Sequence, residues 1–142
     1  MVEIEAGNLV LVDTSVWIDY FRKKEKAYSL VSILMEEEKI CVVKLIAAEL
    51  LQGSKSKYET KIFLNLLNVF SVLEEKKDTW INAGILSSRL RSKGRNIKLA
   101  DCYLAQTAME NEVEIFSYDK HFKEMKKTNF PELKKLKIFL TT

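Results

Sequence analysis

The chain has 142 residues, of which 47% are hydrophobic and 30% are charged, and its formal net charge is +3. These values predict a single globular domain over residues 1–142 and exclude an intrinsically disordered chain. The net charge is too small to indicate a polyanionic partner, so only local clusters of lysine and arginine can support one. The acidic amino terminus and the lack of an apolar run of about 20 residues predict a cytoplasmic protein without a secretory signal or membrane span.

Short apolar runs alternate with amphipathic segments along the whole chain. In chain order, the predicted elements are a strand over 9–12, helices over 14–21 and 28–35, a strand over 40–43, helices over 46–51 and 56–67, a strand over 69–73, helices over 78–92 and 99–111, a strand over 114–118, a helix over 120–127 and an edge strand over 136–140. Continuous apolar strands that alternate with helices are typical of a parallel sheet covered on both faces. The sequence therefore predicts one α/β domain with four or five strands.

The spacing of apolar residues also predicts which faces of the helices are buried. We expect Thr14 or Ser15 to cap the first helix, and Tyr28 to point inward from the second. The helix over 78–92 is expected to begin at Asp78 and to end at Gly94. Its predicted inward face consists of Trp80, Ile81, Gly84, Ile85 and Ser88. Helical spacing favours core packing over base stacking for the aromatic residues Trp17, Tyr20, Phe21, Trp80 and Tyr103.

Four acidic residues lie beside or inside apolar runs, where a carboxylate is costly unless it is paired or binds a cation. They are Asp13, Glu49, Asp101 and Asp119. Asp13 and Asp119 follow predicted strands, and the other two acids lie on helices next to the same edge of the sheet. Because ligands bind beyond the carboxyl ends of parallel strands, one crevice can collect all four. Helix capping explains single acids but not their convergence, so we expect a site for Mg²⁺ or Mn²⁺.

An acidic pocket of this kind suits phosphodiester hydrolysis, because two divalent ions about 4 Å apart can activate water and stabilise the leaving oxygen. Other chemistries lack their residues. His121 has no partner nucleophile that the sequence identifies, and the isolated glycines form no phosphate-binding loop. The run Asp13–Ser15 lacks the second acid of a haloacid-dehalogenase-type phosphatase, and the strand over 69–73 lacks the phospho-accepting aspartate of a receiver domain. Cys41 and Cys102 lack zinc-ligand spacing, which predicts buried, reduced thiols.

Four segments of the sequence, in this order, resemble the motifs of PIN-domain nucleases. They are VLVDTSVWIDYF at residues 10–21, AELLQG at 48–53, KLADCYLAQTA at 98–108 and FSYDKHF at 116–122. Within that superfamily the chain is most similar to the VapC toxins of bacterial and archaeal toxin–antitoxin pairs, over residues 9–122. It departs from many relatives at Lys98, where they have a proline, and this change removes no predicted ligand.

The resemblance implies a three-layer α/β/α fold and Mg²⁺- or Mn²⁺-dependent cleavage of RNA. It implies that Asp13 and Asp101 are the principal metal ligands, and that Glu49 and Asp119 complete the site directly or through water. Supporting hydroxyl groups are implied at Thr14, Ser15 and Ser117. Members of the family bind a small antitoxin protein and commonly form homodimers, so we expect both for this chain.

A basic, arginine-rich run leads into Asp101, and guanidinium groups suit phosphate. The residues of this run predicted to bind RNA are Arg89, Arg91, Arg95 and Lys98. A solvated helix face is the alternative for each of them. The alternative function is a catalytically inactive PIN-like domain that binds RNA or serves as a scaffold. Such domains usually lose one or more of the acids, and this chain has all four.

Overall fold

The computed structural model describes residues 9–139, which form a five-stranded parallel sheet flanked by helices. The strands are β1 (Val10–Val12), β2 (Ile40–Val42), β3 (Ser71–Val72), β4 (Glu114–Phe116) and β5 (Lys137–Ile138). The helices are α1 (Thr14–Phe21), α2 (Glu25–Glu36), α3 (Lys44–Gln52), α4 (Lys57–Val69), α5 (Thr79–Ser92), α6 (Leu99–Glu110) and α7 (His121–Lys127). A short 3-10 helix at Pro131–Leu133 leads into β5.

The strand order β3-β2-β1-β4-β5 reverses direction at β1. The chain moves outward from β1 through β2 to β3, and then returns across the sheet to β4 and β5. Because parallel crossovers are right-handed, this reversal places α1–α4 on one face and α5–α7 on the other. The predicted three-layer α/β fold is therefore confirmed. The connections diverge between the carboxyl ends of β1 and β4, the place at which open α/β sheets bind their ligands.

Helix α1 has its N-cap at residue 13, one residue before the earlier of the two predicted caps. Asp13 occupies the N-cap position, so the prediction that Thr14 or Ser15 caps the helix is wrong. The buried face of α1 contains Trp17, which is fully buried and lies 5.7 Å from the Phe70 ring, measured between centroids. This packing fixes the start of the helix against the sheet. The two hydroxyl groups are free for other partners.

The buried face of α5 differs from the predicted one. The residues that it buries are Thr79, Ala83, Leu86 and Leu90. Ile81 and Ile85, which were expected to point inward, are 65% and 56% exposed. Small side chains at Thr79 and Ala83 let α5 pack closely on α6, whose residues from 101 to 105 are all buried. Close helix packing therefore outweighs side-chain size in setting the orientation of α5.

Two aromatic residues predicted to be buried lie at the surface. Trp80 is 41% exposed and Tyr28 is 46% exposed, so these two predictions are wrong. Each ring is nevertheless stacked on an aromatic neighbour from the core. Trp80 lies 4.0 Å from Tyr103, and Tyr28 lies 5.3 Å from Tyr20, measured between ring centroids. One face of each ring is covered while the other contacts solvent.

Some predicted boundaries shift by a few residues. Helix α4 continues to Val69, which shortens the third strand, and β4 ends at Phe116 rather than at residue 118. The last predicted strand is present as the edge strand β5, and its expected end at residue 140 falls outside the described residues. Both cysteines, Cys41 and Cys102, are buried and free, as predicted. Within residues 9–139, no helix combines the length and apolar character that a membrane span requires.

Neighbouring residues of α5 test its orientation. Leu86 is 3% exposed whereas Ile85 is 56% exposed, so truncation of the two side chains should have different effects. We expect Leu86→Ala to lower the free energy of unfolding by about 2–5 kcal/mol, because it leaves a cavity. Ile85→Ala should change it by about 0.5 kcal/mol or less. Urea denaturation of both variants measures the difference. A larger loss of stability in Ile85→Ala than in Leu86→Ala would instead support the inward face that the sequence predicted for this helix.

Candidate active site

Pairing of β1 with β4 brings the first acid next to a serine from the far end of the chain. Val12 lies opposite Phe116, and the Asp13 N–H donates to the Phe116 carbonyl at 2.9 Å. Asp13 and Ser117, which follow these paired residues, therefore lie next to each other at the carboxyl ends of the two strands. Ser117 Oγ donates to Asp13 Oδ2 at 2.7 Å, and Ser15 Oγ donates to the same oxygen at 3.2 Å. Two hydroxyl groups thus hold one carboxylate oxygen.

The same serines also hold the loop that follows β4. Ser117 Oγ accepts the Asp119 N–H at 2.9 Å, and Ser15 Oγ accepts the Tyr118 N–H at 3.1 Å. Each hydroxyl therefore donates to a carboxylate and accepts from the backbone, which uses both of its hydrogen-bonding roles. The loops after β1 and β4 are joined through these side chains. Asp119 is fixed in position by this loop.

Helices α3 and α6 bring the other two acids to this edge of the sheet. Glu49 lies on α3 and is half-buried, and its Oε1 accepts a hydrogen bond from Thr14 Oγ1 at 3.0 Å. Asp101 lies in the first turn of α6 and is only 6% exposed. The three residues predicted to supply hydroxyl groups therefore all contact, or directly support, predicted site acids.

The electrostatics of Asp13 show how close the acids are. Burial raises the pKa of Asp13, since the carboxylate loses hydration. The hydrogen bond from Ser117 lowers this pKa, and the negative charge of Asp101 raises it again. The net effect is a raised pKa. The hydroxyl groups therefore only partly offset the loss of hydration and the repulsion between the two carboxylates.

Glu49 shares this environment. Its pKa is raised overall, chiefly by burial and also by the negative charges of Asp13 and Asp101. The Thr14 hydrogen bond and the positive charge of Lys98 act in the opposite direction and offset only part of this increase. Three acids thus lie within electrostatic range of one another. This arrangement concentrates acidic groups at one place in the fold.

A histidine that the sequence reasoning did not assign to the site connects the remaining acid. His121 Nδ1 lies 2.8 Å from Asp101 Oδ2 and 3.2 Å from Asp119 Oδ1. The Asp119 Oδ1 also accepts the His121 N–H at 3.1 Å. Asp119 lies two residues before His121, the first residue of α7, and this spacing was a sequence signal for the contact between the Asp119 carboxylate and the His121 N–H. The contact with Asp101 depends on packing of α7 against α6, which no local pattern reveals.

The donor set of the site fits a hard divalent cation. Carboxylate oxygens dominate it, and within residues 9–139 no lysine or arginine nitrogen lies within 4.0 Å of the four acids. The Cys102 thiol, whose pKa burial raises to about 11, is not part of the cluster of possible ligand atoms found in the described residues. Ligand atoms of Asp101, Asp119 and His121 all lie within 4.8 Å of one another. Carboxylate oxygens that are not paired with lysine or arginine suit Mg²⁺ or Mn²⁺.

The predicted basic cluster separates into residues with different surroundings. Lys98 stands at the N-cap of α6, is exposed, and acts on Glu49 as described above. Arg91 is exposed and Arg95 is half-buried. Arg89 pairs with Glu132 and lies over the Phe130 ring, with the guanidinium carbon 4.2 Å from the centroid. Of the cluster, Lys98 thus acts through its charge on the site acid Glu49, whereas Arg89 is engaged in contacts within the fold.

The chain matches the family model of the PIN domain over residues 10–128, most of its length. It therefore belongs to the PIN domain family, whose members are generally nucleases. The family predicted from the sequence motifs is confirmed.

Solved structures share the fold at low sequence identity. VapBC2 from Rickettsia felis, bound to a DNA fragment from their promoter, matches with a TM-score of 0.71 and 19% identity, covering 94% of this chain and 99% of that chain. VapBC-1 from nontypeable Haemophilus influenzae matches with a TM-score of 0.69 and 17% identity, covering 92% and 96%. A toxin–antitoxin complex from Klebsiella pneumoniae matches with a TM-score of 0.64 and 18% identity, covering 78% and 87%. No curated protein sequence matches the chain significantly. At the level of fold, the likeness to VapC toxins is confirmed.

The raised pKa values of Asp13 and Glu49 predict how the stability of the metal-free protein depends on pH. A raised pKa means that the folded state binds the proton more tightly than the unfolded state. This contribution is fully present below the ordinary values of 3.8 and 4.5, and is lost as pH rises through the folded-state values. Asp13→Asn removes the ionisation at residue 13. We therefore expect the variant to lose less stability than the wild type as pH rises.

Urea denaturation in excess chelator, at steps from about pH 4 to pH 8, measures this difference. Asp78→Asn is the matched control, because Asp78 is exposed and its side chain makes no capping hydrogen bond. The control should follow the wild-type profile. Parallel profiles for the wild type and Asp13→Asn would contradict the prediction.

Proposed function

We propose that this PIN-domain protein is a divalent-cation-dependent endoribonuclease and the toxin of a toxin–antitoxin pair. The observation that carries the proposal is the grouping of four acids, Asp13, Glu49, Asp101 and Asp119, near the carboxyl ends of β1 and β4. Neither a lysine nor an arginine in the described part of the chain pairs with them. Membership of the PIN family supports the nuclease class.

In this proposal, all four acids hold Mg²⁺ or Mn²⁺, with Asp13 and Asp101 as the principal ligands. When bound, such a cation supplies an activated water and stabilises charge on the phosphate oxygens. The hydroxyl groups keep the acids in place. The Ser15 and Ser117 hydroxyl groups both donate to Asp13 Oδ2. The Thr14 hydroxyl group donates to Glu49 Oε1 in the same way.

The proposed substrate is RNA, bound first through its phosphates. Four acids repel a polyanion, so cationic side chains near the site have to compensate. Lys98 supports this role most directly, since its charge already acts on Glu49. Arg91 and Arg95 extend the positive surface from there. Arg89 is expected to contribute less, because its guanidinium group is paired with Glu132.

The proposed biological role follows the matched structures. VapBC2 and VapBC-1 share the fold over nearly the whole of this chain, and a further match is a toxin–antitoxin complex. We therefore propose a small antitoxin protein as the partner that restrains the nuclease. We also propose that the protein forms a homodimer and that it acts on RNA in the cytoplasm.

Cleavage of single-stranded RNA tests the catalytic proposal. We expect cleavage with Mg²⁺ or Mn²⁺ and none in excess chelator. Asp13→Asn and Asp101→Asn should each reduce the single-turnover rate at least about 100-fold, because an amide is a poor ligand for a hard cation. Asp78→Asn, at the exposed N-cap position of α5, should cleave like the wild type.

Two results would contradict this mechanism: full activity in chelator, or an active Asp101→Asn enzyme. If the wild type binds RNA but cleaves none with either cation, the inactive RNA-binding or scaffold function is favoured instead. Growth provides the biological readout. Expression of the wild type in a bacterial host should arrest growth, whereas Asp101→Asn should not, and a toxic Asp101→Asn variant would separate toxicity from cleavage.

Salt dependence of RNA binding tests the role of Lys98. On an Asp101→Asn background, Lys98→Gln should weaken binding and lower the slope of log K against log salt by about 0.7, the value for one lost contact on a single strand. Arg89→Gln should change the slope less. Lys61→Gln, at an exposed position on α4, serves as the control. Fluorescence anisotropy over a salt series measures all three, and an unchanged slope for Lys98→Gln would assign Lys98 to a solvated helix face.

A further inference from the structure

The imidazole of His121 is positioned where a cation would meet two of the acids. Its Nδ1 lies within hydrogen-bonding distance of Asp101 Oδ2, at 2.8 Å, and of Asp119 Oδ1, at 3.2 Å. Both carboxylate oxygens are acceptors, so Nδ1 carries a hydrogen in this arrangement. A single polar hydrogen therefore faces two negative oxygens. A metal ion at the same place would face the same oxygens.

The spacing of these atoms matches one shared ion. Two ligands at right angles around an ion, each at about 2.1 Å, are separated by about 3.0 Å. The distances from His121 Nδ1 to Asp101 and Asp119, 2.8 and 3.2 Å, lie on either side of this value. The third pair of ligand atoms also falls within the 4.8 Å cluster. The three side chains can thus ligate one ion without a change in the backbone.

The backbone holds this group in place on both sides. Ser117 Oγ accepts the Asp119 N–H at 2.9 Å, and Asp119 Oδ1 accepts the His121 N–H at 3.1 Å. Phe122, the next residue, is 1% exposed and fixes the start of α7 in the core. The backbone that carries the imidazole is therefore fixed in position. A preformed ligand of this kind loses little entropy when it binds an ion.

We propose that His121 Nδ1 is a nitrogen ligand of the metal, together with Asp101 and Asp119, and that it makes the site select Mn²⁺ over Mg²⁺. The proposal rests on the proposed cation-dependent function and specifies its metal. Both ions bind carboxylate oxygens, but Mg²⁺ is the harder ion and prefers oxygen alone, whereas Mn²⁺, a transition-metal ion, also accepts an imidazole nitrogen. A coordinated Nδ1 carries no hydrogen, so metal binding releases the Nδ1 hydrogen to water and leaves the ring with a hydrogen on Nε2. The side chain is 27% exposed, so water can exchange that hydrogen.

The other role open to His121 is a positioning one, in which Nδ1–H orients the two carboxylates and never binds the metal. The two roles predict different results. A positioning histidine affects all cations alike, because it acts through the acids. A ligating histidine affects Mn²⁺ more than Mg²⁺ and places nitrogen directly on the ion.

Pulsed electron paramagnetic resonance of Mn²⁺ bound to the full chain, without a histidine tag, distinguishes them. His121 is the single histidine of the sequence, so any imidazole ¹⁴N coupling on the ion belongs to it. We expect this coupling in the wild type and its loss in His121→Asn. The asparagine amide retains a hydrogen-bond donor near the acids but supplies no ring nitrogen.

Affinities for Mn²⁺ and Mg²⁺, measured by titration without RNA, provide the second readout. The wild type should bind Mn²⁺ at least about tenfold more tightly than Mg²⁺, and His121→Asn should lose about tenfold for Mn²⁺ and less than about twofold for Mg²⁺. Equal losses for both ions, or bound Mn²⁺ without ¹⁴N coupling in the wild type, would overturn the proposal. Because the spectrum of the wild type is decisive alone, poor folding of a variant does not obscure the result.

Asp101→Asn separates failure of this inference from failure of the proposed function. If the wild type binds both ions, Asp101→Asn binds neither, and no nitrogen coupling is present, only the role of His121 is refuted. If the wild type binds neither ion, the cation-dependent function and the role of His121 are both refuted.

Discussion

The candidate site depends on the parallel pairing of β1 with β4. These strands are about a hundred residues apart in sequence, yet their register places Asp13 and Ser117 one step beyond the paired residues Val12 and Phe116. A shift of the register by one residue would turn successive side chains to the opposite faces of the sheet. The 2.7 Å hydrogen bond between Ser117 and Asp13 would then be lost. The apolar core that fixes the register therefore also fixes the site.

The fold holds Asp13 and Glu49 with hydroxyl groups rather than with lysine or arginine. Hydrogen bonds from Ser15, Ser117 and Thr14 lower the pKa values of Asp13 and Glu49, but burial and mutual repulsion leave both raised. Lysine or arginine at these positions would neutralise the acids and occupy the space between them. Neutral donors keep the carboxylates fixed while leaving their charge available, and this combination suits a site that binds a cation.

The sequence predicted most of this structure because apolar runs locate strands, and the acids that follow them must meet at one edge. The buried face of α5 escaped prediction, since close packing on α6 selects small residues such as Thr79 and Ala83 over the larger Ile85. The pairing of Arg89 with Glu132 was equally hidden, because it joins residues from separate helical segments. Such contacts depend on how helices dock, which local periodicity does not encode.

Asp101 joins the two parts of the site, because it acts on Asp13 and Glu49 through its charge and contacts His121 directly. Its charge raises the pKa values of Asp13 and Glu49, while its Oδ2 lies 2.8 Å from His121 Nδ1, which also contacts Asp119. A cation that neutralises Asp101 therefore favours ionisation of Asp13 and Glu49. It also competes with the His121 Nδ1 hydrogen for the Asp101 oxygen. Binding of a cation at Asp101 would thus change the electrostatics of every other acid in the site. A site built around one shared carboxylate responds to its first ligand as a whole.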